Sequence, residues 1–215
     1  MIKGTKGKGR RSRSAPPVSG DLLEKLVAEV KRGDADAFRQ LYGLYGRKIL
    51  NYIYRMTGSR GDAEDLTQDT FILAYKKIDS LKESRKFQSW LFRIAQNNVY
   101  QKFRTKRPHF EPIVPEAGPQ AADVHQLASP LKSPEAHILS DELQGMLQQV
   151  INELPNKYRE VFVLAALHKL SYQEISTMVG RSLPSVKSDI HRARVAVRDK
   201  IKRYLGNNYG MSNLF

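Results

Sequence analysis

The stretch LSYQEISTMVGRSLPSVKSDIHRARVAVRDKIKRYL, residues 170–205, decides the fold. Ser171-Tyr172-Gln173-Glu174 is a capping box: the serine hydroxyl takes the N–H of Glu174, and the glutamate returns to the N–H of Ser171. The short helix it opens carries Ile175, Met178 and Val179 on one side. Gly180 suits the left-handed position that stops it. Ser182 then caps a second helix, with Pro184 in its first turn, where no N–H is needed. At 100° per residue, Val186, Ile190, Ala193, Val197 and Ile201 share a narrow arc. The opposite arc holds Lys187, Ser188, His191, Arg192, Val195 and Arg198. Two short-linked helices, the second with donors on its open face, form a helix-turn-helix. A solvated basic helix would share the charge. The capped pair and the glycine stop together favour duplex DNA, with the N-terminal half of the second helix at base edges. Arg194, Arg198, Lys200, Lys202 and Arg203 lie further along, where phosphate contact is expected.

Upstream, Leu143, Met146, Leu147, Val150, Ile151 and Leu154 make an amphipathic stripe that Pro155 breaks. A further helix carries Val161, Phe162, Leu164, Ala165 and Leu167. Residues 141–205 therefore read as one small helical domain, with 206–215 as a frayed tail. Residues 108–140 differ in kind: Pro108, Pro112, Pro115, Pro119, Pro130 and Pro134 are six of the ten prolines, and large apolar residues are few. This is a flexible linker, too long for a loop inside one domain.

Residues 21–107 form a second helical domain. Leu22, Leu23, Leu26, Val27 and Val30 recur at helical spacing until Gly33, and Asp34 caps the next helix. Further helices are expected from about Asp62 to Ile78 and from about Phe87 to Thr105. The turn from Asp62 to Asp69 is acidic, as helix N-termini favour. In the last helix Phe92, Tyr100 and Phe103 alternate with Arg93, Lys102, Arg104, Lys106 and Arg107. Aromatics among cations suit single-stranded nucleic acid, although such stripes also build cores. The fold class is all-α: two small helical domains on a Pro-rich tether.

Composition narrows the partners. Among 215 residues, Lys plus Arg is 36 against 22 for Asp plus Glu, a formal net charge of +14. That surplus points to a polyanion. Residues 1–20 form a basic arm (Lys3, Lys6, Lys8, Arg10, Arg11, Arg13), either a solubilising tail or a non-specific attraction for phosphates. No cysteine is present, so disulfides, thiolate zinc sites and thiol catalysis are excluded. The longest apolar run, Val161–Leu167, cannot cross a bilayer, and no signal peptide is legible. A cytoplasmic protein without membrane insertion is expected. His109, His125, His137, His168 and His191 are scattered, and Asp65 and Asp69 lack a third metal ligand. No catalytic group, metal, cofactor or small-molecule substrate is expected.

Four blocks in order, GDADAFRQLY (33–42), DAEDLTQDTFILAY (62–75), FQSWLFRIAQNNVYQKFR (87–104) and residues 154–194, closely resemble the sigma-70 family of bacterial transcription initiation factors, in its extracytoplasmic-function group. The resemblance implies a sigma factor, not an enzyme, that binds core RNA polymerase and directs initiation at promoters. Residues 21–107 then correspond to the polymerase-binding and promoter-melting region, and 141–205 to the region that binds the minus-35 element. By alignment, Asp62, Glu64, Asp65, Leu66, Gln68, Asp69 and Phe71 would contact polymerase. The loop from Asp79 to Lys86 would capture a flipped base, and Lys86, Asn97, Tyr100, Gln101 and Arg104 would read the minus-10 element. Ser185, Lys187, Ser188, His191 and Arg192 would read the minus-35 element. The family often has Asp at Gln101 and Arg at Asp189, so an unusual promoter preference is implied. The acidic linker would thread towards the polymerase active site and RNA exit, and an anti-sigma factor is an implied partner. Against this stand an ordinary helix-turn-helix regulator, which leaves 62–75 and 87–104 unexplained, and a nucleic-acid enzyme, which lacks its ligands.

Overall fold

A computed structural model describes residues 20–106 and 134–209. The basic arm, most of the linker and the last six residues lie outside the described part. Among the described residues, eight α-helices fall into two lobes. The N-terminal lobe contains α1 (Gly20–Lys31), α2 (Ala35–Thr57), α3 (Arg60–Lys77) and α4 (Phe87–Lys106). The C-terminal lobe contains α5 (Pro134–Asn152), α6 (Asn156–Phe162), α7 (Tyr172–Val179) and α8 (Leu183–Tyr209).

Local chemistry sets the helix ends. Asp34 accepts from the N–H groups of Asp36 and Ala37, and Gly33 takes φ 93° just before it. At the end of α2, Gly58 adopts φ 70° and its N–H returns to Tyr54. Ser59 then caps α3 by accepting from the N–H of Asp62. The capping box of Ser171 and Glu174 forms, with Gly180 at φ 65° closing α7. After α6, Val163–Leu167 form a π-helical turn before the helix-turn-helix. Arg159, buried, donates to the carbonyls of Ile151 and Leu154 at 3.1 and 3.2 Å, so a guanidinium closes the C-terminal end of α5.

Helix α2 is the spine of the first lobe, packed on α1, α3 and α4. Tyr45 meets Phe87 edge-on at 5.2 Å and Tyr52 meets Phe92 at 5.4 Å. In the second lobe α8 crosses α5, α6 and α7, and Val186, Ile190, Ala193 and Val197 are buried as their arc requires.

Two boundaries differ from the sequence reading. Helix α5 begins at Pro134, seven residues inside the expected linker. Pro is well suited to a first helical turn, which needs none of the lost N–H groups, and Glu135 follows it. Helix α8 runs through Gly206 to Tyr209, so the expected tail starts later. The lobes are also not independent beads. Helix α2 touches α5, and α4 touches α7, and one continuous hydrophobic cluster runs through both lobes.

Candidate nucleic-acid interface

The helix-turn-helix presents its donors as the pattern requires. Lys187, Ser188, His191 and Arg192 are exposed on one side of α8, while Val186 and Ile190 anchor the other side in the core. Ser185 is half-buried at the start of that face, and its N–H reaches the Ser182 hydroxyl at 3.4 Å. Arg192 leans towards the Tyr158 hydroxyl at 3.5 Å, which raises its already high pKa. Arg194 and Arg198 are exposed further along, and Lys200 pairs with Glu153, the residue just after α5.

Asp189 behaves otherwise. It is 2% exposed and accepts from Arg181 at 2.6 Å, with Lys157 at 3.2 Å. An acid at this position is therefore part of the support beneath the recognition helix. Its carboxylate is turned inward, to the start of α6 and the turn before α8.

In the first lobe, α3 exposes Glu64, Asp65, Gln68 and Asp69 along one side. Asp62 is half-buried and paired with Lys102 of α4 at 2.9 Å, a contact that raises the lysine pKa. Leu66 and Phe71, expected as polymerase contacts, are 6% and 4% exposed and pack into the core. Both lie on the buried arc with Ala63, Thr67, Thr70 and Ala74. Tyr42, Ile72 and Tyr75 do reach the surface here, with an edge-to-face aromatic set of Phe38, Tyr42, Phe71 and Tyr75. Sequence reasoning missed them. Their signal was an apolar residue, Ile72, just outside the buried arc of α3.

Helix α4 exposes Asn97, Gln101 and Arg104, with Tyr100 at 40% exposure. Phe92 is fully buried and Phe103 half-buried, so the expected row of stacking rings reduces to Tyr100. Asn98 turns inward and donates to Thr70 at 3.1 Å. A shallow cleft lined by Leu66, Asp69, Asn98, Gln101 and Lys102 joins the acidic face of α3 to the exposed side of α4. The loop before α4 contains two 3-10 turns, Ile78–Ser80 and Ser84–Lys86. Within it Lys86 pairs with Glu83 at 2.7 Å and Arg85 with Glu24. His168 packs against Phe92 at 4.7 Å, and burial lowers its pKa to about 3. Among the described residues no three metal-capable side chains converge.

These features define a two-lobed helical adaptor, with a basic helix-turn-helix on one lobe and an acidic, partly apolar face on the other. The comparisons give its family. The model of sigma-70 region 2 matches residues 41–109, and that of sigma-70 region 4 matches residues 144–197. The chain is 38% identical over 182 residues to the ECF RNA polymerase sigma factor SigW of Bacillus subtilis, covering 84% of this chain and 97% of that protein. It is 34% identical over 176 residues to the RNA polymerase sigma-H factor of Pseudomonas aeruginosa, covering 81% and 91%. Solved structures share the fold. CnrH in complex with the cytosolic domain of CnrY gives a TM-score of 0.60 at 24% identity, covering 85% of this chain and 97% of that one. The sigma factor RpoE of Bartonella quintana with the anti-sigma factor NepR gives 0.57 at 22%, covering 77% and 96%. The chain belongs to the extracytoplasmic-function group of the sigma-70 family, and its function is promoter-specific initiation of transcription by RNA polymerase. No helix among the described residues is long and apolar enough to cross a membrane.

Proposed function

We propose a division of labour between the lobes. The side of α3 that carries Glu64, Asp65, Gln68 and Asp69, extended by Ile72, Tyr75 and Tyr42, docks on core polymerase. Exposed apolar groups rimmed by charge are the usual make-up of a protein-binding surface. Lys86, Asn97, Tyr100, Gln101 and Arg104 read the unpaired minus-10 strand, where one ring stacks a base and cations hold the backbone. Ser185, Lys187, Ser188, His191 and Arg192 read the minus-35 element in the major groove. Residues 21–107 and 134–209 are the two working regions, and residues 108–133 tether them.

The observation that carries this reading is the capped helix-turn-helix whose open face holds exposed Lys187, Ser188, His191 and Arg192 over a closely packed inner face. In this reading the chain makes and breaks no bonds and lends sequence recognition to the polymerase. Unstacking costs a few kcal/mol per step, so so small a lobe captures few bases. It works in the cytoplasm, where polymerase and promoter are, and an anti-sigma factor is its proposed inhibitor, as for the RpoE–NepR complex.

Run-off transcription with core polymerase on genomic promoter fragments tests it. Promoter-specific transcripts are expected. Their absence at every salt concentration would overturn the reading. Ile72→Asp should raise the amount of chain needed to saturate core polymerase about tenfold and leave the melting temperature unchanged.

A further inference from the structure

Lys3, Lys6, Lys8, Arg10, Arg11 and Arg13 stand ahead of α1, with no acid before Asp21. They hold six of the chain's surplus of 14 positive charges. Only glycine, serine and threonine stand between them, and no aromatic ring. Cations hold phosphates, whereas bases are held by rings and by matched donors at their edges. The chemistry of this arm is therefore a sequence-independent grip on a polyanion. Both family models leave it out, since they match residues 41–109 and 144–197.

Composition alone does not separate such a grip from a solubilising tail. The place where the arm joins the fold does. Helix α1 packs on both 3-10 turns of the loop before α4. Lys31 of α1 donates to the Leu81 carbonyl at 2.6 Å, and Glu24 of α1 pairs with Arg85 in the second turn. Ile78 and Leu81 are each 4% exposed, so the loop is seated on the core. A Cβ at Gly20, the first residue of α1, would lie 3.9 Å from Arg85 Nε. The arm thus joins the fold beside Arg85, the chain neighbour of Lys86, and its root moves with the loop.

The acids around this root are already engaged. Glu24 pairs with Arg85, Asp21 lies in the field of the same guanidinium, and Glu83 pairs with Lys86 at 2.7 Å. The acidic surface of α3, from Glu64 to Asp69, begins about 14 Å along that helix from Ile78 and is the side proposed to face polymerase.

We propose that the arm is a phosphate clamp for the promoter DNA beside the minus-10 element. Rooted at the loop before α4, it lays its cations along the sugar–phosphate backbone next to the strand that α4 reads. It adds affinity without sequence preference. Because the cations are tethered at the site, their contact is intramolecular once the element is engaged. This rests on the assignment of α4 and the loop before it to minus-10 reading.

Holoenzyme assembled at saturating core polymerase tests the clamp, with a promoter fragment titrated across salt concentrations. One variant exchanges all six cations: Lys3→Ser, Lys6→Ser, Lys8→Ser, Arg10→Ser, Arg11→Ser and Arg13→Ser. Each phosphate held contributes about 0.7–0.9 to the slope of log affinity against log salt. The variant should lose about two to five units of slope and keep its preference for the promoter over a scrambled fragment. Lys3→Arg, Lys6→Arg and Lys8→Arg together keep the charge and should keep the slope. The chain has no cysteine, so Lys8→Cys gives a single point for an iron chelate that cleaves DNA. The twelve residues from there to Gly20 span at most about 43 Å, so cuts should fall within about 12 base pairs of the minus-10 element. An unchanged slope in the serine variant overturns the clamp and leaves the cations to polymerase docking or solubility. Cuts centred on the minus-35 element overturn it as well. Failure of the wild-type chain to give promoter-specific transcripts is a separate result, the failure of the reading on which the clamp rests.

Discussion

Asp189 sits next to Ser188 on the helix proposed to read DNA, yet its carboxylate turns inward to Arg181 and Lys157. A buried acid in that place holds the turn before α8 to the start of α6. Asp189→Ala leaves Arg181 without its nearest acceptor and should destabilise the chain by about 1–3 kcal/mol in urea unfolding. Lys187 and Arg192 are different in kind, being exposed and without a role in the core. Lys187→Ala and Arg192→Ala should each weaken minus-35 binding by about 1–3 kcal/mol without changing stability. Titration against a scrambled duplex checks the mechanism: equal losses there would mark phosphate contacts in place of base contacts. His168 shows a residue whose position but not its environment could be read. The sequence ruled out metal-like spacing around it, but only its packing on Phe92 and Tyr52 explains its low pKa.

At the scale of elements, helix ends were legible because their signals are local. The capping box at Ser171, the αL glycines at 58 and 180, and the Asp34 cap depend on residues within a few positions. Ser171→Ala should lower the thermal midpoint through a loss of about 0.5–2 kcal/mol, read by calorimetry. The inward arc of α8 was equally legible, since hydrophobic spacing alone sets it. Two things were not. The helical start of α5 at Pro134 was hidden by the proline-rich composition around it. The split of α3 into buried and exposed apolar residues was blurred because Leu66, Phe71, Ile72 and Tyr75 are all large and close together. Burying Phe71 while exposing Ile72 depends on where α2 lies, which no local pattern encodes.

The packing of the whole molecule makes its stability depend on pH through groups from both lobes. His168 faces Lys48 and Arg55, and burial first, then those charges, bring its pKa from 6.5 to about 3. The folded chain therefore binds fewer protons than the unfolded one. Its stability from this group is complete above pH 6.5 and falls as pH drops towards 3. Glu160 acts in the opposite sense: burial raises its pKa, so its contribution fades as pH rises above about 4.5. His168→Asn should flatten the decline between pH 6.5 and 5 by up to about 1.4 kcal/mol per pH unit, measured by urea unfolding across that range. By itself the sequence determined the helical class, the two working regions, the helix-turn-helix and its outward donors, because helical periodicity and capping are short-range and leave a one-dimensional trace. Only the tertiary structure decided which aromatics became core, that Asp189 is buried against Arg181, and that Glu160 and Arg55 lie between the lobes. Those outcomes depend on contacts between residues as far apart as 55 and 148, whose pairing exists only once the helices are packed.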